Sequence, residues 1–462
     1  MKSQLTVGPP LRTLCAFGLP LVLGSIAHAL FNLVDVWLVG RYAPTGPGTI
    51  GREAALAAIH AASVLNFLPM LLANGISVAT IATVSRAIGA GDGVRAGTVM
   101  HRSMMLTLML GMAIGVLAGV TAPWQIRMLE VSAEAAGAAT ECLEVMSYGT
   151  VTMFALLQIT AVERAAGRST PPVVLLVGAN LLNAGASVWL IPRYGAPGTA
   201  WATVLSRGLF SVLGLAWLYG RSSDLRAAAR TMRGLLRESY VFVKLGIPAT
   251  LQLFARAVAV LVVTRLLAEG AKTDAEITEI SAAYGVALRL EMIAMFACAG
   301  WGSAVAAAVG QCLGAGMLDR AIRMAWVGSL AAGAGMVLLG AAFYFGAPQI
   351  FPWFVEDEHA SRIESLVRYG TDYFRTVAFA YAFVGIGIVL AESVNGSGAT
   401  RQSFFIDFTL YVGGVWGLSA LLLPRNGIAG LWIALLVVHT AAAVVYAACF
   451  RSVLRARLHR HP

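Results

Sequence analysis

A chain built from apolar runs that can each cross a bilayer has little choice of backbone. In lipid every N–H and C=O must be satisfied within the fold, which leaves α-helices and closed barrels. The run from Leu14 to Gly40 exceeds the roughly 20 residues that a spanning helix needs. Eleven more follow at about 57–84, 103–122, 140–162, 172–191, 198–219, 243–267, 281–309, 324–350, 373–394, 403–423 and 428–450. Only 12% of the 462 residues are charged, about half the proportion in soluble domains. The expected fold is therefore an all-α integral membrane protein with twelve transmembrane helices.

The connections set its orientation. Arg86, Arg95 and Arg102, then Arg164 and Arg168, then Arg221 to Lys244, Arg320 and Arg323, Arg401, and Arg451 to Arg460 fall on alternate sides of the spans. The remaining connections hold the acidic stretches Glu269 to Glu279 and Glu356-Asp357-Glu358. The positive-inside rule puts both termini in the cytoplasm. The net charge of +10 is spread over these connections as a topology signal, and nucleic acid is not an expected partner. Ala27-His28-Ala29 superficially matches a signal-peptidase site. The apolar run continues past it to Gly40, so a retained first helix is expected. The five cysteines lie in or beside apolar runs with no CxxC spacing, which points to packing rather than a disulfide or metal framework.

Internal repeats decide the architecture. Gly18-Leu19-Pro20 recurs as Gly246-Ile247-Pro248, Val84 to Gly91 as Val309 to Gly316, and Pro192 to Gly198 as Pro424 to Gly430. The offsets are 228, 225 and 232 residues. Three ordered matches at nearly one offset imply two six-helix lobes of the same orientation, related by a pseudo-two-fold axis along the membrane normal. Residues 1–220 form the expected N-terminal lobe, 221–240 a basic cytoplasmic linker, solvated along the membrane face, and 241–462 the C-terminal lobe.

Polar groups inside the apolar runs are the candidates for function. His28, Asn32 and Asp35 fall at i, i+4 and i+7, one stripe of the first helix. A carboxylate at that depth costs on the order of 2.5–3.5 kcal/mol to insert, so it faces protein or a wet cavity. The stripe reads as a proton or cation site, or else as a polar contact between helices. At the repeat offset Asp35 falls on Val263, so the ionisable group belongs to one lobe.

Gly18-Leu19-Pro20, Phe31-Asn32-Leu33-Val34-Asp35, Gly89-Ala90-Gly91, Gly167 to Pro172 and Ala282 to Glu291 resemble the multidrug and toxic compound extrusion (MATE) family, over nearly the whole chain. The resemblance implies an antiporter that expels amphipathic, often cationic compounds against inward H+ or Na+, with Asp35 as the coupling residue. The family often has an Asn followed four residues later by an Asp in the fifth span. Asn183 matches the first, but Ser187 stands at the second and cannot titrate. Asn180 and Asn183 are neutral hydrogen-bonders for a site or for helix contacts, and Thr203 matches a further polar position. In the C-terminal half, Arg256 lies deep in the seventh span, with Arg289 and Glu291 in the eighth. A lone buried Arg needs a carboxylate, and Glu291 is the expected partner, as an ion pair or a substrate site. Asp407, a few residues into the eleventh span, is expected near the interface.

No Walker loop, H-E-x-x-H or nucleophile elbow is present, so neither ATP-driven transport nor an enzyme is expected. The sequence supports a monomeric inner-membrane exporter of small amphipathic molecules, without cofactor or metal centre. Proton coupling is preferred, because the N-lobe offers one charge among Asp35, Asn32, Asn180, Asn183, Ser187 and Thr203, with His28 to relay or tune the proton. A sodium-coupled exporter and a lipid-linked glycan flippase are the alternatives.

Overall fold

The computed structural model describes residues 4–42, 50–229, 235–354 and 360–458, and their secondary structure is helical throughout. Sixteen helices build the chain. In the first half they are α1 (Pro10–Tyr42), α2 (Arg52–Gly89), α3 (Gly93–Met128), α4 (Ala133–Tyr148), α5 (Thr150–Ala165), α6 (Thr170–Tyr194), α7 (Pro197–Arg221) and the short α8 (Ser223–Ala229). The second half has α9 (Leu235–Gly270), α10 (Asp274–Gly314), α11 (Leu318–Ile350), α12 (Ala360–Val377), α13 (Tyr381–Gly396), α14 (Thr400–Asp407), α15 (Val415–Asn426) and α16 (Ile428–Leu458). Eleven spans are continuous by length and composition, and α4 with α5 makes a twelfth, bent by 45°. The bend falls at Gly149, where a Cβ would lie 2.2 Å from Val204 Cγ2 of α7. The expected span 140–162 is this broken helix.

The two lobes share their turns as well as their helices. Gly91 and Gly316, Gly167 and Gly398, and Gly195 and Gly427 all have positive φ, between 59° and 76°, and pair at the repeat offset. Glycine alone adopts that backbone without a Cβ penalty, so each turn fixes where the next helix starts. An even number of crossings brings the ends of α1 and α16 to one face, the terminal face.

The lobes touch where side chains are missing. A Cβ on Gly89 would lie 2.0 Å from the Gln311 carbonyl oxygen, and one on Gly314 would lie 2.1 Å from that of Arg86. Arg86 and Gln311 are themselves equivalent in the repeat, so the two contacts are mirror copies. Gly18 meets Trp301 and Gly246 meets Ile76, again equivalent pairs. One buried cluster at the terminal face draws from both lobes: Leu14, Phe17 and Ile81 with Trp301, Val305, Val389 and Phe450. Toward the opposite face each lobe keeps its own core, Leu38 to Ala62 with Leu143 in one and Phe343, Tyr373 and Trp432 in the other. The lobes are closed at the terminal face.

The linker is not free in solution along its described part. In α8, Leu225 is 1% exposed, and the Asp224 carboxylate sits against Gly93 at the start of α3. Residues 230–234 of the expected linker lie outside the described residues.

The buried charge of the C-terminal lobe is paired differently from the sequence expectation. Arg256 Nε donates to Asp407 Oδ2 at 2.6 Å, not to Glu291. Asp407 is fully buried, and also accepts from Tyr446 Oη (2.6 Å) and Gln252 Nε2 (3.0 Å). Asn395 Nδ2 in turn donates to Gln252 Oε1 at 3.1 Å. The physical reason is that α14 runs directly into a π-helical segment, Phe408–Gly414, packed on α9, which holds Asp407 inside the lobe. Wide π-type turns commonly re-aim side chains in this way.

Two expectations follow for stability. Gly89→Val and Gly314→Val should lower the thermal midpoint in detergent by similar amounts, about 1–3 kcal/mol each, because backbone faces backbone and neither side yields. Gly137→Val, with no atom within 4 Å of its Cβ, should not change it. Unequal losses at 89 and 314 would contradict the symmetric closure. Arg256→Leu or Asp407→Leu alone should cost roughly 3–5 kcal/mol by stranding a buried charge, while the double variant costs less than either. Additive losses would show that the two do not act as a pair.

Candidate functional site

Two polar stripes meet at the face of α1 that packs on α6. In α1 His28 and Asp35 stand two turns apart, and in α6 Asn180 and Asn183 are one turn apart. They pair in order. Asn180 Nδ2 lies 3.3 Å from His28 Nδ1, and Asn183 Nδ2 donates to both Asp35 oxygens, at 2.9 and 3.0 Å. Ser187 Oγ donates to Asn183 Oδ1 at 3.3 Å, which turns the amide nitrogen toward the carboxylate. Asn183 and Ser187 are buried, whereas Asp35 is half-buried.

Of the other expected members, Thr203 stays out of this network. Its hydroxyl donates to the Thr199 carbonyl of its own helix at 2.9 Å. The Asn32 side chain lies outside those described. His28 reaches the second lobe, with its ring edge-to-face against Phe296 of α10, centroids 6.4 Å apart.

Arg207 in α7 was not singled out in the sequence, yet its guanidinium charge acts on both Asp35 and His28. It forms no direct ion pair among the described residues. The signal was present: Arg207 interrupts the apolar run 198–219 just as Asp35 interrupts the first. A fixed positive charge beside the carboxylate makes the site a polar junction of three helices.

Glu291 in α10 belongs to a separate setting. It accepts a hydrogen bond from Tyr381 Oη at 2.9 Å, and Tyr373 also hydrogen-bonds to it. Tyr373 packs edge-on against Trp432, on which Tyr284 stacks. Phenolic hydroxyls therefore do for Glu291 what a cation was expected to do, since they satisfy its lone pairs without adding charge. Arg289, two residues earlier, is exposed and shares neither contact. Among the described residues no group of three His, Cys, Asp or Glu converges as a metal site.

The fold matches that of known proteins. The MatE family model matches residues 20–189 and 278–415. The chain is 26% identical over 474 residues to the multidrug resistance protein PmpM of Pseudomonas aeruginosa, covering 99% of this chain and 94% of that protein. It is 24% identical over 413 residues to the probable multidrug resistance protein YpnP of Bacillus subtilis, with coverages of 88% and 87%. Among solved structures, a MATE transporter in the straight conformation superposes with a TM-score of 0.87 at 21% identity, over 99% of each chain. A MOP-superfamily transporter of Pyrococcus furiosus, described as having a binding pocket of reverse polarity, gives 0.86 at 21% identity over 99% and 98%. The family match spans both repeats and includes Asp35, Asn183, Arg289 and Glu291, and the chain belongs to the MatE family of membrane transporters.

Proposed function

We propose that the protein exports amphipathic, cationic compounds from the cytoplasm in exchange for inward protons, by alternating access between its two lobes. The multidrug resistance names of PmpM and YpnP support export of drug-like compounds. The Lys and Arg bias of the loops supports a cytoplasmic terminal face in the inner membrane. The observation that carries proton coupling is the bond of Asn183 to both oxygens of Asp35.

That bond favours a proton over a metal ion. A hard cation such as Na+ wants about five or six oxygen ligands, by analogy with other hard cations. Here an amide nitrogen covers both carboxylate oxygens, the amide oxygen accepts from Ser187, and the Thr203 hydroxyl is turned to its own backbone. Arg207 adds a nearby positive charge, which repels a second cation.

A proton needs less rearrangement. Once one Asp35 oxygen is protonated it becomes a donor and requires an acceptor. A half-turn of the Asn183 amide presents Oδ1 to it and swings Nδ2 toward Ser187 Oγ, which accepts. Ser187, where the family often has a carboxylate, thus serves as a neutral partner for either amide orientation. Protonation also cancels the attraction between Asp35 and Arg207 and weakens the charged hydrogen bond from Asn183 that ties α1 to α6. This couples proton binding to the packing of the helix that closes the lobes.

A glycan flippase would favour a strongly cationic cleft. Arg207 and Arg256 do lie within apolar spans, but Arg207 stands in the field of Asp35 and Arg256 pairs with Asp407. The charges balance, which favours export of a cationic amphiphile.

Asp35→Asn should abolish pH-driven ethidium efflux from proteoliposomes while leaving the thermal midpoint within a few degrees of wild type. Efflux at the wild-type rate would remove Asp35 from the mechanism. Replacing Na+ by choline at fixed external pH should leave wild-type efflux intact, and collapsing the pH gradient should stop it. The reverse outcome would establish sodium coupling.

A further inference from the structure

Arg164 ends α5 at the terminal face, and it faces the other lobe. Its Nε donates to the Thr160 carbonyl one turn back, at 3.2 Å. Its Nη1 crosses to Ser303 Oγ of α10, also at 3.2 Å. Ser303 is 6% exposed, so this bond lies inside the lobe contact. One residue away, a Cβ on Gly302 would lie 2.9 Å from Glu392 Cγ. Glu392 of α13 therefore lies against α10 beside the serine that Arg164 holds.

The Glu392 carboxylate is short of partners. It is half-buried and stands in the field of two guanidiniums, Arg164 from the first lobe and Arg256 from its own. Arg256 is committed to Asp407. Among the described residues Glu392 makes no hydrogen bond and no direct ion pair. A carboxylate kept at such a place for structure alone would be paired, as Asp407 is, because an unpaired charge is costly there.

The repeat argues the same way. Gly167 and Gly398 set the local offset, at which Arg164 corresponds to Asn395 and Glu392 to Ala161. Neither charge has a counterpart in the other lobe. The symmetric glycine contacts already close the face, so these two charges are additions to the closure.

We propose that Glu392 binds the cationic group of the transported compound, covered by Arg164 while the terminal face is closed and uncovered when the lobes part there. The proposal rests on the cation-export reading above. When the terminal face opens, Arg164 leaves with the first lobe and its bond to Ser303 breaks. Glu392 stays with the second lobe and faces entering water, where a lipophilic cation replaces the lost counter-charge. On closure Arg164 returns and competes for the same carboxylate. Affinity therefore falls as the face closes, and the compound is released toward the opposite side. Two cations cannot both neutralise one carboxylate, so Arg164 and the compound exclude each other there, while the proposed proton exchange supplies the direction.

Binding of ethidium to the purified full-length protein, followed by fluorescence polarisation, tests the site. Glu392→Gln should weaken binding about tenfold or more, with an unchanged thermal midpoint. Arg164→Gln should strengthen binding several-fold while slowing efflux from proteoliposomes, and Arg164→Lys should restore both. The double variant should bind as weakly as Glu392→Gln. Wild-type affinity in Glu392→Gln, or unchanged affinity in Arg164→Gln, would overturn the proposal. The Arg164 variant decides alone if the Glu392 variant does not fold. Should wild type neither bind nor export ethidium or tetraphenylphosphonium, the cation-export reading fails and this site with it. Wild-type export with an indifferent Glu392 removes the site alone.

Discussion

The contact on which this structure depends is backbone against backbone, where Gly89 of α2 meets Gln311 of α10 and Gly314 meets Arg86. Helices in a bilayer gain little from hiding apolar side chains, since lipid is equally apolar, and close packing through small residues takes over. Gly89 and Gly314 let the two lobes approach until their main chains touch. The closure brings Arg164 to Ser303 and Trp301 to Gly18, and it forms the one large buried cluster to which both lobes contribute. A contact made of main chain is also easily reversed. It strands no side chain when it parts, and water can satisfy what it exposes.

Upon this symmetric frame the charges are placed without symmetry. The first lobe holds Asp35 with Asn183 and Arg207, while the second holds Arg256 with Asp407 and, separately, Glu291 among tyrosines. Symmetry serves packing, because two copies of one helical unit fit each other about an axis. It would not serve vectorial transport, in which the two lobes must answer different ions or ligands. Pairing within each lobe rather than across the axis keeps most of these charges satisfied whichever way the lobes tilt. Arg164 and Arg320 differ, since the bond of Arg164 to Ser303 and those of Arg320 to the Leu5, Val7 and Gly8 carbonyls cross between the lobes.

Spans, repeats and the polar stripe of α1 were legible because each is a local pattern, in hydropathy, in recurrence or in helical period. Partnerships were not. Arg256 and Asp407 are 151 residues apart in the chain, and nothing near either predicts the other. That Asp407 is enclosed by protein was hidden, because the π-helical segment after it cannot be read from the apolar run. Glu291 seemed to need a cation, since hydroxyl donors from α12 and α13 could not be foreseen. Arg207 and Glu392 were legible by the rule that exposed Asp35, as charges within apolar runs. The Asn180 and Asn183 pairings with α1 follow from helical period alone once the two helices are known to be neighbours.

In the proposed cycle, Asp35 and the lobe contact are linked by one helix, α1. Asp35 lies ten residues beyond Ser25 on α1, about 15 Å along a helix. Ser25 and Leu21 are the residues that Gly300 of α10 touches, and Gly18, one turn earlier, meets Trp301. Gly302 follows at once, with Glu392 against it. A shift of α1 caused by protonation at Asp35 therefore acts first on the α1–α10 contact and next on the residues that hold Glu392 beside Arg164. Pro20 lies between Gly18 and Leu21, where its missing N–H leaves a carbonyl without its helical partner. Bending is cheapest at that point, within the lobe contact. Coupling of this kind needs no wire of side chains through the cleft. It needs a helix whose far half takes up the proton and whose near half packs against the other lobe, with the weakest backbone joint inside that packed half.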